Sequence, residues 1–95
     1  QKVKIAVIPV GDTRIELLEP TDPEGPVGKH IASRGEGLHH IALQVDDIRA
    51  SLESLQKKEV PLVDKTPRVG GGHALIAFLH PKATKALIEL TQPAE

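Results

Sequence analysis

The chain has 95 residues, with 12 Lys or Arg, 13 Asp or Glu and a formal net charge of -1, which fits one small domain. It has no excess of basic residues to neutralise phosphates. Phe78 is its only aromatic residue, so it also lacks an aromatic surface on which bases could stack. We therefore expect no nucleic acid partner. Cysteine is absent, which excludes disulfides and thiolate metal sites. No apolar run is long enough to span a bilayer and no signal peptide opens the chain, so we expect a cytoplasmic protein without a membrane partner.

Two strands and a short helix are predicted first. Lys2 to Val10 alternates as a strand, Gly11-Asp12-Thr13 has turn chemistry, and Arg14 to Glu19 forms the returning strand of a hairpin. Pro20 to Pro26 contains three prolines and two acids and predicts a surface loop. A short helix over Val27 to Ser33 follows.

The next predicted strand, His39 to Val45, has a histidine near its entrance. Because side chains alternate along a strand, one face holds His40, Ala42 and Gln44. The other face holds His39 and three apolar residues, Ile41, Leu43 and Val45. We expect the apolar face to pack on the helix that follows, which leaves His40 facing away from the helix, where a ligand could bind.

An amphipathic helix is predicted directly after this strand. Asp46 or Asp47 can cap it by accepting a hydrogen bond from a free first-turn amide. Ile48, Leu52 and Leu55 recur at spacings of four and three residues and form its buried stripe.

The last part of the chain predicts further strands. Pro61 to Asp64 favours a short strand, and Gly70-Gly71-Gly72 favours a flexible turn. Ala74 to Leu79 and Ala86 to Thr91 form a second hairpin, linked by His80-Pro81-Lys82.

The two hairpins repeat each other. Lys4 to Pro9 aligns with Leu75 to Pro81, with one extra residue before the second proline, and Arg14 to Pro20 aligns with Leu87 to Pro93. The simplest interpretation is an internal repeat of a strand-helix-three-strand unit whose first copy is cut off at its start. We expect one α+β domain over 1–95, N-terminally incomplete. It would consist of the last hairpin of a first module (1–20), a linker with a short helix (21–37) and a complete βαβββ module (38–92).

Two glutamates stand out beside His40. Glu16 lies on the second strand and Glu89 on the last. A glutamate between apolar neighbours is usually the solvated face of an amphipathic sheet, and a histidine at a strand entrance is more often structural than a ligand. The three residues nevertheless share a face on related strands, so a metal site and a solvated polar face both stay open.

Several segments resemble a known family. Gly35 to Ile48, Ala77 to Lys82 and Ile88-Glu89-Leu90 are similar to the methylmalonyl-CoA epimerases of the glyoxalase, or vicinal oxygen chelate, superfamily. Pro9 to Thr13 and Ile15 to Pro20 agree as well, so the resemblance covers essentially all 95 residues. It implies two βαβββ modules that form a cup-shaped sheet around a divalent metal. The family's opening strand, with a metal-binding histidine, has no counterpart in these residues, nor do the helix and strand after it.

The resemblance also implies a site. His40 and Glu89 match metal ligands of the family, and Glu16 falls where relatives place a glutamine or glutamate at the metal. The implied ion is divalent, with Co²⁺ first and Mn²⁺, Ni²⁺ or Zn²⁺ as alternatives, all of which suit a nitrogen and oxygen ligand set.

The implied reaction interconverts (R)- and (S)-methylmalonyl-CoA. In the mechanism that the resemblance implies, a divalent metal would supply Lewis acidity for the carbonyl oxygens, and Glu89 and Glu16, related by the internal repeat, would be the two bases. The implied partners are an acyl-CoA substrate and a second copy of the chain in a homodimer.

Two other functions stay open. One is another metalloenzyme of the superfamily, such as a glyoxalase I-type lactoylglutathione lyase, with the same metal set. The other is a non-catalytic module whose cup holds a ligand. Because the first ligand has no counterpart, we expect the 95-residue chain by itself to bind metal weakly and turn over little substrate. We also expect its first hairpin to associate through an exposed apolar face formed by Ile15 and Leu17 with Val3, Ile5 and Val7.

Overall fold

The computed structural model describes residues 2–94, which form two compact units that meet in sequence at Gly37 and Leu38. The first unit contains two strands and a helix: β1 (Val3–Val10), β2 (Thr13–Pro20) and α1 (Pro26–Arg34). The second contains β3 (Ile41–Gln44), α2 (Ile48–Lys57), β4 (Arg68–Val69), β5 (Leu75–Leu79), α3 (Pro81–Thr84) and β6 (Ile88–Gln92). A 3₁₀ turn at Gly71–His73 precedes β5. The mixture of sheets and helices confirms the predicted α+β class.

The first unit is a long hairpin followed in sequence by a helix. β1 and β2 pair antiparallel from Val3↔Pro20 to Val10↔Thr13, and Gly11 allows the tight turn because its φ is +60°. The predicted helix is present as α1. It begins at Pro26, in a position where the missing N–H of proline costs nothing.

The second unit is a four-stranded sheet in the order β3-β6-β5-β4. β3 runs parallel to β6, and the other pairs are antiparallel. Helix α2 covers one face of this sheet, which we call the helix face. The buried core on that face consists of Ile48 and Leu52 from α2 and Ala77, Leu79 and Leu90 from the strands. The opposite surface, which we call the open face, carries Phe78 and Glu89.

The register of the two hairpins supports the internal repeat. In the first hairpin Val7 pairs with Glu16, and in the second Phe78 pairs with Glu89. These are the same positions in the sequence alignment of the two hairpins. The turns differ, because two residues link β1 to β2 whereas the helical turn α3 links β5 to β6.

Three details differ from the sequence-based expectations. Pro61 to Asp64 is not a strand: Leu62 makes one isolated bridge to Leu79, and the short edge strand is β4. Val45 packs against the core as expected, but the apolar residues of β3 itself, Ile41 and Leu43, are 40% and 50% exposed. The reason is that β3 is the edge of the sheet, while α2 packs on β5 and β6.

The third difference concerns the apolar surface of the first hairpin. Directly paired residues of an antiparallel sheet point to the same side. Ile15 pairs with Ile8 and Leu17 pairs with Ala6, so Ile15 and Leu17 do not share a face with Val3, Ile5 and Val7. The hairpin therefore has apolar residues on both faces.

Candidate functional site

The second unit brings two of the predicted site residues together. Glu89 lies on β6 opposite Ala42 of β3, and His40 stands just before β3 begins. From this position the His40 imidazole reaches the Glu89 carboxylate. The distance from His40 Nε2 to Glu89 Oε1 is 3.3 Å, and the two side chains are 30% and 16% exposed.

Phe78 lies next to His40 and Glu89 on the open face. It is the cross-strand neighbour of Glu89, and its ring meets the His40 ring edge to face, with centroids 6.0 Å apart and an angle of 71°. The Arg68 guanidinium lies over the same phenyl ring, 5.5 Å from its centroid. Phe78 was not among the residues predicted for the site. Its position opposite Glu89 in the repeated hairpin is the signal that could have found it.

Asp64 contacts both Phe78 and Arg68. Its Oδ2 accepts a hydrogen bond from the Phe78 backbone N–H at 2.9 Å and lies 3.5 Å from Arg68 Nε. One carboxylate therefore connects the residue that supports His40 to the short edge strand β4.

His39 was expected to face away from His40, and the structure corrects this. His39 Nδ1 lies 2.8 Å from His40 Nδ1. The strict alternation of a strand does not apply here, because regular pairing starts only at Ile41. The two imidazoles therefore form a hydrogen-bonded pair, with their ring planes at 74°.

Glu16, the third predicted ligand, belongs to the first unit. It is exposed and occupies the position in its hairpin that Glu89 occupies in the second. Within residues 2–94, no group of three or more His, Asp or Glu side chains is placed to hold a metal ion. The arrangement thus contains a two-residue donor pair, and the assignment of Glu16 stays a prediction.

The geometry of His40 and Glu89 fits a metal. Two donor atoms bonded to one ion at about 2.0–2.2 Å, at angles between ~90° and ~110°, lie roughly 2.8–3.6 Å apart. The observed 3.3 Å between Nε2 and Oε1 falls in that range. An imidazole nitrogen with a carboxylate oxygen is a donor set that Co²⁺, Mn²⁺, Ni²⁺ and Zn²⁺ accept.

His80 and His73 do not add metal ligands to the pair of His40 and Glu89. His80 Nδ1 accepts the Lys82 backbone N–H at 3.0 Å and so caps α3, and His73 is exposed in the 3₁₀ turn. A groove of about 640 Å³ lies along α2, lined in part by Arg49, Gln56 and Lys65. It contains neither His40 nor Glu89, so we place the candidate site on the open face.

Comparison with known proteins identifies the family. Residues 1–78 match the Glyoxalase/Bleomycin resistance protein/Dioxygenase superfamily. The chain belongs to this superfamily, and the predicted glyoxalase-like fold is confirmed.

The relatives define the resemblance more closely. The uncharacterized protein YqjC of Bacillus subtilis is 37% identical over 94 residues, which cover 98% of this chain and 67% of YqjC. The mitochondrial methylmalonyl-CoA epimerase of Dictyostelium discoideum is 36% identical over 83 residues, covering 85% of this chain and 50% of that protein. The crystal structure of methylmalonyl-CoA epimerase from Mycobacterium tuberculosis superposes with a TM-score of 0.80 at 34% identity, covering 100% of this chain and 65% of that one. The chain thus spans about half to two thirds of the length of these relatives. None of the helices described within residues 2–94 is long and apolar enough to cross a membrane.

Proposed function

We propose that this chain carries the active site, or a large part of it, of a metal-dependent epimerase that interconverts (R)- and (S)-methylmalonyl-CoA. The observation that carries the proposal is the contact of 3.3 Å between His40 Nε2 and Glu89 Oε1 on the open face. Relatives that carry the name methylmalonyl-CoA epimerase support the choice of an acyl-CoA substrate.

The proposed metal ligands are His40, Glu89 and Glu16, and the proposed ion is Co²⁺, with Mn²⁺, Ni²⁺ or Zn²⁺ as alternatives. When bound, a divalent ion supplies Lewis acidity that polarises carbonyl oxygens of the substrate. The positions of Glu89 and Glu16 at equivalent points of two matching hairpins support their pairing in one site. Because the family's first metal-binding histidine has no counterpart in these residues, we expect the 95-residue chain to bind metal weakly and to turn over slowly.

Glu89 and Glu16 are proposed as the two bases. Epimerisation requires removal of the proton between the thioester and the carboxylate from one face of that carbon and its return on the other. The Glu89 carboxylate is mostly buried beside the Phe78 ring and the His40 imidazole, which shields it from water and fixes its direction. Glu16 would act from the opposite side of the substrate.

The test is deuterium incorporation at that carbon when methylmalonyl-CoA is incubated in deuterated solvent with the cobalt-loaded protein. Positioned general bases contribute about 10²–10⁴-fold in rate, so we expect Glu89→Gln to lose activity on that scale. Gln44→Ala is the matched control, because Gln44 lies on the same face of β3 as Ala42 and is exposed. Unchanged exchange in Glu89→Gln would refute its role as a base.

Two further assays separate the alternatives. Turnover of the glutathione–methylglyoxal hemithioacetal in place of methylmalonyl-CoA would indicate a lactoylglutathione lyase. Tight binding of an acyl-CoA by metal-free protein without exchange would indicate a binding module.

A further inference from the structure

Both ring nitrogens of His40 have a close polar neighbour. Nδ1 lies 2.8 Å from His39 Nδ1, and Nε2 lies 3.3 Å from Glu89 Oε1. A neutral imidazole carries one N–H and one lone pair, whereas an ionised carboxylate only accepts hydrogen bonds. The position of the single proton on a neutral His40 therefore decides which of its two ring nitrogens donates and which accepts.

Without a metal, the carboxylate selects one arrangement. Glu89 favours an N–H at His40 Nε2, because a lone pair facing the carboxylate would be repelled by it. His40 Nδ1 is then an acceptor. The short contact between the two Nδ1 atoms is a hydrogen bond only if His39 carries its proton on Nδ1 and donates it.

A metal ion at His40 Nε2 requires the opposite arrangement. Nε2 must then present its lone pair, so His40 carries its proton on Nδ1 and donates it to His39 Nδ1. His39 becomes the acceptor and holds its own proton on Nε2. A ligand histidine that donates its second N–H to a partner is fixed in tautomer and ring orientation.

We propose that His39 is a positioning residue that exchanges donor and acceptor roles with His40 when a divalent ion binds. The N–H bonds at His40 Nε2 and His39 Nδ1 break, and those at His40 Nδ1 and His39 Nε2 form by exchange with water. Each ring keeps one proton, so the pair releases none. The metal-bound half rests on the proposed metal site, and the metal-free half does not depend on it.

The direct test is the tautomeric state of both histidines in the ¹⁵N-labelled 95-residue protein. Couplings between ring protons and ring nitrogens distinguish the tautomers, at an alkaline pH where imidazole is neutral. We expect protons on His40 Nε2 and His39 Nδ1 without metal, and on His40 Nδ1 and His39 Nε2 with Zn²⁺, which is diamagnetic. A metal-free protein with the proton on His40 Nδ1, or a His39 tautomer that Zn²⁺ leaves unchanged, would overturn the proposal.

Variants of His39 test its consequence for affinity, measured by calorimetry with Zn²⁺. His39→Leu offers no partner to Nδ1 and should weaken binding by roughly 10–100-fold. His39→Asn places an amide oxygen near the former Nδ1 and should retain most of the affinity. His73→Asn is the control, since His73 is an exposed histidine outside the pair. Equal affinity in the wild type and His39→Leu would overturn the role of His39.

The same spectra check that each variant is folded and separate this inference from the reaction. If Zn²⁺ does not bind at His40, the metal-bound half fails together with the proposed metal site. If Zn²⁺ binds and the tautomers exchange while methylmalonyl-CoA shows no proton exchange, the proposed reaction fails and the role of His39 stands.

Discussion

His40 is the residue whose surroundings say most about the site. Its ring contacts His39, Phe78 and Glu89, so its direction is fixed before any ligand arrives. A side chain that is already positioned loses little conformational entropy on binding. This preorganisation is what separates His40 from the exposed His73.

We expect His40→Ala to lose the proposed metal, because the change removes the imidazole nitrogen that lies 3.3 Å from Glu89 Oε1. Elemental analysis of protein purified in the presence of Co²⁺ measures the effect. The control is again Gln44→Ala, which should keep the wild-type metal content. Equal occupancy in His40→Ala and the wild type would mean that the ion is held elsewhere.

A second prediction concerns the hydrogen bond between Asp64 and Phe78. Asp64→Ala leaves the Phe78 backbone N–H without its acceptor and should lower the free energy of unfolding by about 1–3 kcal/mol. Asp64→Asn keeps an acceptor oxygen and should cost less. Urea unfolding of both variants measures the difference, and an equal loss in the two would show that the charge, not the hydrogen bond, matters.

Sequence reasoning could place Glu89 but not all of its neighbours. The period of two, extended back to His40, predicted that this residue lies on the same side of the sheet as Glu89, and the contact between them agrees. It fails at His39, which was expected on the opposite side and instead contacts His40. It also fails for Asp64, whose hydrogen bond to Phe78 depends on a bend that no local pattern specifies.

Among the elements, α2 follows its sequence signals closely. Its predicted stripe is buried at Ile48 and Leu52, which are 0% and 1% exposed, and Leu55 packs against the core. The predicted cap left two aspartates open, and the structure selects Asp47, whose Oδ1 accepts the Ala50 N–H at 3.0 Å. The segment Pro61 to Asp64 was harder to predict. Its apolar residues Leu62 and Val63 favour a strand, but in the structure Leu62 makes an isolated bridge to Leu79 and no regular strand forms.

The choice of cap leads to a matched pair of variants. Asp47→Ala should destabilise the protein by about 0.5–2 kcal/mol, because a helix loses the side-chain acceptor for a first-turn amide. Asp46→Ala should change the free energy of unfolding by no more than is usual for surface substitutions, about ±0.5 kcal/mol. Thermal unfolding followed by circular dichroism compares them, and the reverse order would place the cap at Asp46.

At the scale of the whole molecule, the two hairpins differ in how well they are covered. Leu90 is 6% exposed because α2 packs on it, whereas Leu17 at the matching position of the first hairpin is 55% exposed. Burying a side chain of this size is worth roughly 1.5–3 kcal/mol. This difference favours an association that covers the first hairpin, and a homodimer is the form we propose.

Light scattering across a concentration series tests this proposal. We expect a dimer or larger species for the wild type and weaker association for Leu17→Lys. Ile5→Lys is the matched control, because Ile5 is 54% exposed and lies on the other face of the same hairpin. A stable monomer down to micromolar concentration would contradict the proposal, and equal weakening by both variants would contradict the choice of face.

The parallel pairing of β3 with β6 has a consequence for the order in which the chain folds. β5 and β6 are neighbours in sequence, whereas β3 pairs with β6, a strand much later in the sequence. The hydrogen bond from the Ile48 N–H to Gln92 Oε1 likewise joins residues 44 positions apart. Because contacts distant in sequence require loop closure first, we infer that the hairpin β5–β6 forms early and that β3 joins it late, bringing His40 with it. A chain still emerging from the ribosome has Glu89 and His40 apart and presents no paired ligands to free metal ions. If the proposed metal site is correct, capture of an ion would follow the completion of folding.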